Sequence, residues 1–184
     1  AVVETVDFFP PVLDDPFATL DDVRTTLAPQ LQPGDTTLIL IDLGGGRKRM
    51  AGSMLAQVLG QFGSRDHDGV PDLDDPAQLK ALVAAANQLR ADGRLLAYHD
   101  RSDGGLWAAV CEMAFAGHLG VSLNVDMLVT EGDGISDSRA EFGDSKNWAG
   151  QVGERRNELT LRALFNEELG AVIQVRAAER DAVM

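Results

Sequence analysis

The sequence predicts an α/β domain of the layered α+β kind, in which helices pack against a mixed sheet. Three observations favour this class. Short apolar runs typical of buried strands recur along the chain, and segments with helical spacing lie between them. Glycine-rich turns separate the two kinds of segment. The length of 184 residues is enough for a proper core, and we expect residues 1–184 to form a single domain.

Composition indicates an ordinary globular protein and argues against two classes of partner. Hydrophobic residues make up 45% of the sequence and charged residues 24%. The net charge of -13 argues against nucleic acid and against a membrane surface, because binding to either needs clustered Lys and Arg. No apolar run approaches the roughly 20 residues of a membrane span. The single cysteine, Cys111, is interpreted as a packing residue and fits a reducing compartment, so we expect a cytoplasmic location.

The N-terminal part contains the first strand and the first glycine turn. Val2–Phe9 is interpreted as a strand or an extended lead-in. Thr36–Leu43 is rich in β-branched residues and predicts a buried central strand. Gly44–Gly46 follow, but they match neither of the standard phosphate-loop patterns, and we interpret Arg47–Arg49 as a solvated loop rather than a phosphate clamp. A helix is predicted to start near Ser53, with four apolar residues on one face: Leu55, Val58, Leu59 and Phe62.

The second helix has the clearest start and end signals. Asp75 is an N-cap residue and Pro76 stands at the first helical position. Gly93 stands where a left-handed residue ends a helix. Between them, apolar residues recur at helical spacing and predict the face that packs on the sheet: Leu79, Leu82, Val83, Ala86 and Leu89.

A strand, a polar turn and a helix follow, and this stretch is the strongest candidate for a ligand site. Leu95–Tyr98 predicts the strand, and the helix is expected to run to about Gly117. The turn between them, from His99 to Gly105, precedes a helix N-terminus, whose N–H groups suit phosphate. Its two carboxylates are oxygen ligands of the kind that Mg²⁺ prefers. On spacing alone, an ordinary turn capped by Ser102 or Asp103 is favoured over a ligand site.

The C-terminal part contains two more predicted strands and a long loop. Val121–Val125 alternates and predicts a half-exposed strand. Residues 129–158 are acidic and glycine-rich and predict a long inserted loop, which Phe142 and Trp148 are expected to pin to the body. The remaining elements are an amphipathic helix over Thr160–Glu168 with Leu161, Leu164 and Phe165 inside, a buried strand over Ala171–Val175, and a helix from Ala178 onward.

Three motifs resemble, in this order, those of phosphoribosylformylglycinamidine synthases in their large single-chain form. They are HDRSDGGL from His99, EMAFAGH from Glu112 and LFNEELGAVIQV from Leu164. The resemblance covers about Asp22 to the end, apart from residues 129–158. It implies the C-terminal domain fold of the aminoimidazole ribonucleotide synthetase superfamily, in the second of the two copies that these enzymes contain.

The resemblance implies an ATP-dependent carbon–nitrogen ligase of purine biosynthesis. The family converts formylglycinamide ribonucleotide, ATP and glutamine to formylglycinamidine ribonucleotide, and a glutaminase domain supplies the ammonia. The implied cofactors are Mg²⁺ and ATP or ADP. The implied partners are the remaining domains of the same polypeptide, namely the other synthetase half and the glutaminase domain. We therefore expect this chain to be a piece of a longer enzyme and to be inactive alone.

The resemblance also implies roles for individual residues of the turn. Asp100 corresponds to a Mg²⁺ ligand and Ser102 to an ATP contact. Gly104 and Gly105 are assigned to nucleotide binding in the same motif, no residue is assigned as catalytic, and we expect this copy to hold its nucleotide structurally. Supporting roles fall to His99, expected to be hydrogen-bonded into the turn rather than to act as a base, and to Asp103.

Two other hypotheses remain open at this point. One is a domain of another ATP-using member of the same superfamily, against which the run Phe165–Gly170 favours the synthase. The other is a non-catalytic acidic interaction module that serves as a scaffold. A self-contained kinase is excluded, because neither a phosphate-loop lysine nor a catalytic-loop signature is found.

Overall fold

In the computed structural model the described residues are 23, 26–63, 69–125, 128–129 and 148–184, with 148–152 described by their backbone alone. The elements that lie wholly within these residues are three strands and five α-helices, and a short 3₁₀ turn over Ala177–Glu179 precedes the last helix. In chain order the elements are β1 (Thr36–Asp42), α1 (Met54–Val58), α2 (Pro76–Ala91), β2 (Ala97–Asp100), α3 (Gly105–Gly117), α4 (Trp148–Phe165), β3 (Gly170–Arg176) and α5 (Arg180–Val183).

The described strands form one sheet in the order β1-β3-β2, and both strand pairs are antiparallel. Ile173 in β3 lies opposite Ile39 on one side and Tyr98 on the other. The predicted class, helices with a sheet, is confirmed. The prediction of a buried central strand at Thr36–Leu43 is wrong within the described sheet, because β3 is central and β1 is a half-buried edge. An apolar run indicates that other parts of the protein cover both faces of a strand. It does not indicate whether neighbouring strands pair with both of its edges.

The sheet has an apolar core on each face, since successive residues of β3 point to opposite sides. On one face Val172 and Ala97 pack with Met113 and other residues of α3. On the other face Ile173 packs with Leu95 and Val175, and Leu89 of α2 packs against them. Both clusters therefore depend on the same central strand.

The predicted start and end of helix α2 are confirmed. The carboxylate of Asp75 accepts the Ala77 N–H at 2.9 Å, Pro76 is the first helical residue, and Gly93 is left-handed with φ +66°. The predicted apolar face is less covered than expected. Leu82 is buried, whereas Val83 is exposed.

The first helix is much shorter than predicted, and its predicted face is largely exposed. The helix starts where it was predicted, and Ser53 caps it by accepting the Ala56 N–H at 3.3 Å. The helix ends at Val58, which is 77% exposed, and the chain turns at Gly60 with φ +65°. A helix of five residues is too short to present a repeating apolar stripe, so Leu59 and Phe62 are exposed as well.

Two predictions in the C-terminal half are also corrected. Val121–Val125 is not a strand among the described residues, because alternation indicates two faces but does not supply a partner strand. Trp148 to Glu158, predicted as loop, belongs to α4, which also covers part of the predicted helix Thr160–Glu168 and ends at Phe165. Favourable helix formers and ion pairs such as Glu158–Arg162 (2.9 Å) outweigh the glycine-rich composition there. Leu161, expected inside, is exposed.

Some predictions fall outside the described residues. These are the lead-in Val2–Phe9, the aromatic Phe142 and most of the loop 129–158. Within the described part of the chain, no helix combines the length and the apolar character that crossing a membrane requires.

Candidate functional site

Three turns meet at one end of the sheet. Because β1 and β2 both run antiparallel to β3, their carboxyl ends lie beside the start of β3. Asp42 lies opposite Gly170, and Asp100 lies opposite Ala171. The glycine turn after β1, the turn from Asp100 to Gly105 and the connection from α4 to β3 are thereby brought together.

The structure places the predicted nucleotide and metal residues on the rim of this end. Asp100 is the last residue of β2, and its side chain is exposed together with those of Ser102 and Asp103. Gly104 is half-buried and Gly105 is buried. Among the residues that the structure describes, no three His, Cys, Asp or Glu side chains are close enough to hold a metal ion together. Asp100 is therefore an exposed carboxylate that does not belong to a ready-made group of three ligands in the described part of the chain.

The two glycines of the turn both have left-handed backbones. Gly104 (φ +81°) is the N-cap of α3, so the alternative in which Ser102 or Asp103 caps this helix through its side chain is wrong. A Cβ at Gly105 (φ +66°) would lie 2.6 Å from the carbonyl oxygen of Asn166. Gly105 thus allows the start of α3 to pack directly on the end of α4. The space beside its Cα is filled by protein backbone.

Glu167 connects the starts of two helices. A single oxygen of its carboxylate accepts the N–H of Gly104 at 2.8 Å and the N–H of Met54 at 2.8 Å. The first N–H groups of a helix have no partner within the helix, and the partial positive charge there favours an anion. The Glu167 carboxylate satisfies one such group at α1 and one at the N-cap of α3.

Arg101, between the two principal predicted site residues, points into the protein. Its side chain is buried, and its Nε donates to the carbonyl oxygen of Glu168 at 2.5 Å. Its guanidinium also donates to the carbonyl of Leu169 at 3.0 Å and forms an ion pair with Asp42. The inward Arg101 leaves its neighbours Asp100 and Ser102 exposed at the rim.

Asp42 links this arginine to the first glycine turn. Its two carboxylate oxygens accept the N–H groups of Gly44 and Gly46, each at 3.3 Å. Because Arg101 pairs with the same carboxylate, the end of β1 and the turn after β2 are joined through one buried side chain.

Glu168 and Arg49 form a second connection beneath the turns. The Glu168 side chain is fully buried, and its two oxygens accept the Nε of Arg49 and one of its terminal nitrogens, each at 2.7 Å. The Arg49 backbone N–H donates to the same carboxylate at 3.0 Å. The hydrogen bond to Glu168 raises the pKa of Arg49 well above its usual range, and Asp74, 2.8 Å away, adds to the effect.

The basic run Arg47–Arg49 is consequently only partly solvated. Arg47 is exposed, as predicted, and pairs with Asp74 at 2.9 Å. The Lys48 ammonium donates to the carbonyl of Leu128 at 2.5 Å. The prediction is wrong for Arg49, because its buried partner Glu168 lies 119 positions away and could not be identified from the local sequence.

The two residues before Asp100 in β2, Tyr98 and His99, also interact with their surroundings. His99 is hydrogen-bonded into the turn, as predicted: Nδ1 lies 2.7 Å from the carbonyl oxygen of Asp100, and Nε2 lies 2.8 Å from Glu112 of α3. Burial raises the pKa of Tyr98, and the charge of Asp100 and a hydrogen bond to it raise it further. The carboxylate of Asp100 therefore influences the ionisation of Tyr98, which lies two residues earlier in the strand.

Sequence reasoning missed most of the scaffold under the rim. Asn166, whose Nδ2 donates to the carbonyl of Arg162 at 2.6 Å, accepts the Glu168 N–H at 3.3 Å and so shapes the connection to β3. A polar residue at the end of an apolar strand or directly after it was an available signal for Asp42 and Arg101, whereas Asn166 follows a helix and carries no such signal. The missed residues are Asp42, Arg49, Arg101, Asn166, Glu167 and Glu168.

Comparison with known families shows which family this chain resembles. The family described as AIR synthase related protein, C-terminal domain, matches residues 32–184. The matched part contains every element from β1 to α5 and all three turns at the end of the sheet.

Proposed function

Because this chain belongs to the AIR synthase related protein, C-terminal domain family, we propose that it is a domain of a phosphoribosylformylglycinamidine synthase. The chain is a domain of an AIR synthase-like superfamily member, and members of this superfamily are ATP-using ligases or synthetases. The three motifs that carry the resemblance to the synthase support the finer assignment. Glutamine, as amide donor, and formylglycinamide ribonucleotide belong to that finer assignment.

The main support for a nucleotide site is the arrangement of the turn after β2. Asp100 and Ser102 are exposed on one rim beside the N-terminus of α3, while Arg101 between them is anchored in the interior. A carboxylate oxygen can ligate a metal ion bound to a phosphate, and a hydroxyl can donate a hydrogen bond to the phosphate itself. Because Arg101 holds the backbone between them, the turn has little conformational freedom to lose when a ligand binds.

The residues of the rim fit Mg²⁺ with a nucleotide, although this chain supplies only part of the ligand set. Asp100 would hold the metal, which neutralises phosphate charge when bound, and Ser102 would donate to a phosphate oxygen. Gly104, Gly105, His99 and Asp103 would shape the turn around them. The further metal ligands would come from other domains of the enzyme, since the described residues hold no group of three. A location in the cytoplasm accompanies this proposal.

The substrate assignment is tested with the intact protein that contains this chain. We expect it to form formylglycinamidine ribonucleotide from formylglycinamide ribonucleotide, ATP and glutamine, and to restore growth without purines to cells that lack this synthase. Hydrolysis of ATP with a different ribonucleotide substrate, and none with this one, would leave the superfamily in place and contradict the synthase. That outcome favours the second candidate, another ATP-using member of the same superfamily.

The nucleotide site is tested with Asp100→Ala and Ser102→Ala in the same intact protein. We expect both variants to retain less Mg-ADP or Mg-ATP after purification, with turnover reduced less than nucleotide content, because we propose that the site holds its nucleotide structurally. Asp181→Ala removes another exposed carboxylate, which lies in α5 beyond the far end of β3, and is the control. Full nucleotide occupancy with lost turnover would contradict the structural role and indicate a catalytic one.

A further inference from the structure

The connection from α4 to β3 contains a carboxylate that neither the core nor the proposed nucleotide site uses. Glu167 is half-buried, whereas its neighbour Glu168 is fully buried and paired with Arg49. The side chain of Glu167 instead reaches two backbone N–H groups that lie 63 and 113 positions away in the sequence. Its partners are thus the two turns themselves, and no side-chain cation is among the contacts described for it.

The hydrogen bond between Glu167 and Gly104 matters because of where Gly104 lies. Gly104 is left-handed, it is the N-cap of α3, and it lies two residues after Ser102. A glycine in this conformation has no side chain to hold it in place. The Glu167 oxygen at 2.8 Å fixes the N–H of Gly104, and the same oxygen fixes the start of α1 at Met54.

We propose that Glu167 is a positioning residue of the nucleotide site, which holds the Ser102–Gly104 turn and the start of α1 in one arrangement. The inference rests on the proposed nucleotide site. While Glu167 occupies the Gly104 N–H, a phosphate cannot take that donor. The phosphate is then directed to Ser102 and to a metal at Asp100, so Glu167 also determines which groups of the turn contact the ligand.

The experiment compares three variants in the intact protein: Glu167→Ala, Glu167→Gln and Glu167→Asp. Alanine removes the acceptor, and aspartate keeps the charge but is one methylene too short to reach both N–H groups. We expect each of these two to raise the Kd for Mg-ADP about tenfold, the usual effect of losing a residue that orients a ligand-binding group. Glutamine keeps an oxygen at the same reach, so its Kd should stay close to that of the wild type. Glu179→Ala, at the other end of β3, is the control and should leave the Kd unchanged.

Two further readouts separate positioning from general stability. The melting temperature without nucleotide reports loss of fold, and amide hydrogen exchange reports the peptides that contain Gly104 and Met54. We expect faster exchange at both peptides in Glu167→Ala and Glu167→Asp, and wild-type exchange in Glu167→Gln. If the alanine variant does not fold, the comparison of glutamine with aspartate gives the same answer.

The outcomes are distinguishable. A wild-type protein that binds neither Mg-ADP nor Mg-ATP contradicts the nucleotide site and, with it, this inference. A wild type that binds, together with alanine or aspartate variants of unchanged Kd, contradicts the role of Glu167 alone. A lower melting temperature with an unchanged Kd would make Glu167 a helix cap and nothing more.

Discussion

Arg101 determines the direction of the residues on either side of it. Its guanidinium is committed to two carbonyl oxygens and to Asp42, so the strand cannot rotate about its axis at this point without breaking all of these contacts. Asp100 and Ser102 are exposed because residue 101 is not. A buried side chain with several hydrogen bonds is therefore the physical reason that the rim presents a carboxylate and a hydroxyl together.

Tyr98 and Asp100 give a prediction at the scale of one charge. Burial raises the pKa of Tyr98, and the charge of Asp100 and a hydrogen bond to it raise that pKa further, so Asp100→Asn should lower it part of the way toward its ordinary value. Tyr98 is the only tyrosine of the chain, and the near-ultraviolet absorbance of tyrosinate in the 184-residue chain measures its ionisation directly, with a chelator present. Asp103→Asn removes the same charge from the same turn and should leave the titration unchanged. An identical shift in both variants would mean that the effect is the general charge of the turn.

The same shift has a defined consequence for stability. A tyrosine whose pKa is raised by folding holds its proton more tightly in the folded state than in the unfolded state. Its contribution to the free energy of unfolding is complete below about pH 10 and is lost as the pH rises through the folded pKa. Urea unfolding at increasing alkaline pH should therefore show a smaller loss for Tyr98→Phe than for the wild type.

The ion pair of Arg49 with Glu168 is expected to contribute strongly to stability. Arg49→Met leaves the carboxylate of Glu168 buried without its cation, and removing one partner of such a pair costs about 3 kcal/mol of unfolding free energy. Arg47→Met is the matched control, since Arg47 also pairs with Asp74 but its side chain is 54% exposed. An exposed pair contributes below about 1 kcal/mol. Urea unfolding of both variants measures the difference, and equal losses would place the stabilisation in Asp74 rather than in Glu168.

At the scale of elements, Gly105 determines how closely α3 approaches α4. A Cβ there would lie 2.6 to 2.8 Å from backbone atoms of Leu164, Phe165 and Asn166, which cannot move aside as the end of a side chain can. Gly93 has the same φ of +66° but no atom within 4 Å of an added Cβ. Comparing substitutions at Gly93 and Gly105 therefore distinguishes the cost of backbone strain from the cost of close packing.

We predict that Gly93→Ala lowers the free energy of unfolding by about 1 kcal/mol, the usual cost of a left-handed alanine. Gly105→Ala should lose about 2 kcal/mol more, because the added methyl overpacks the contact between the helices. Urea unfolding compares the two. Equal losses would mean that α3 and α4 separate readily, and α3 would then not be held in a fixed position under the turn.

Elements that depend on local sequence were predictable, and those that depend on distant partners were not. Asp75 and Pro76 mark the start of α2, and Gly93 marks its end, because caps act through neighbouring atoms. The turn at Gly104 was identified for the same reason. By contrast, the central position of β3 follows from strand pairing, and the sequence of one strand contains no record of it.

The candidate site shows the same division. The rim residues Asp100 and Ser102 were identified from a contiguous motif. The residues that hold them in place are contributed by segments up to 68 positions away from Arg101, and their partners follow from the fold alone. Glu167 and Glu168 are adjacent and chemically identical, yet one caps two helices and the other pairs with an arginine. Composition and spacing cannot assign these different roles to the two glutamates.

At the scale of the whole molecule, the two apolar cores share β3. Val172 belongs to the cluster with α3, and Ile173, the next residue, belongs to the cluster on the face of α2. A substitution that disrupts packing on one face of the sheet is therefore expected to destabilise the other face, because both faces share this strand. The sheet end that carries the three turns rests on both clusters, so the proposed site is stable only when the whole sheet is.

Ile173→Ala gives the last prediction. Removing this buried side chain should lower the free energy of unfolding by about 3 kcal/mol, because the cavity cannot close within a central strand. Trp148→Phe in all variants leaves Trp107, on α3 across the sheet from Ile173, as the only fluorescent tryptophan. We expect its fluorescence and the far-ultraviolet circular dichroism to report one coincident transition in urea, shifted to lower concentration. Leu161→Ala, at an exposed position of α4, should change the stability by less than about 0.5 kcal/mol. Two separate transitions in Ile173→Ala, with Trp107 unfolding at the wild-type concentration, would contradict the dependence of both cores on β3.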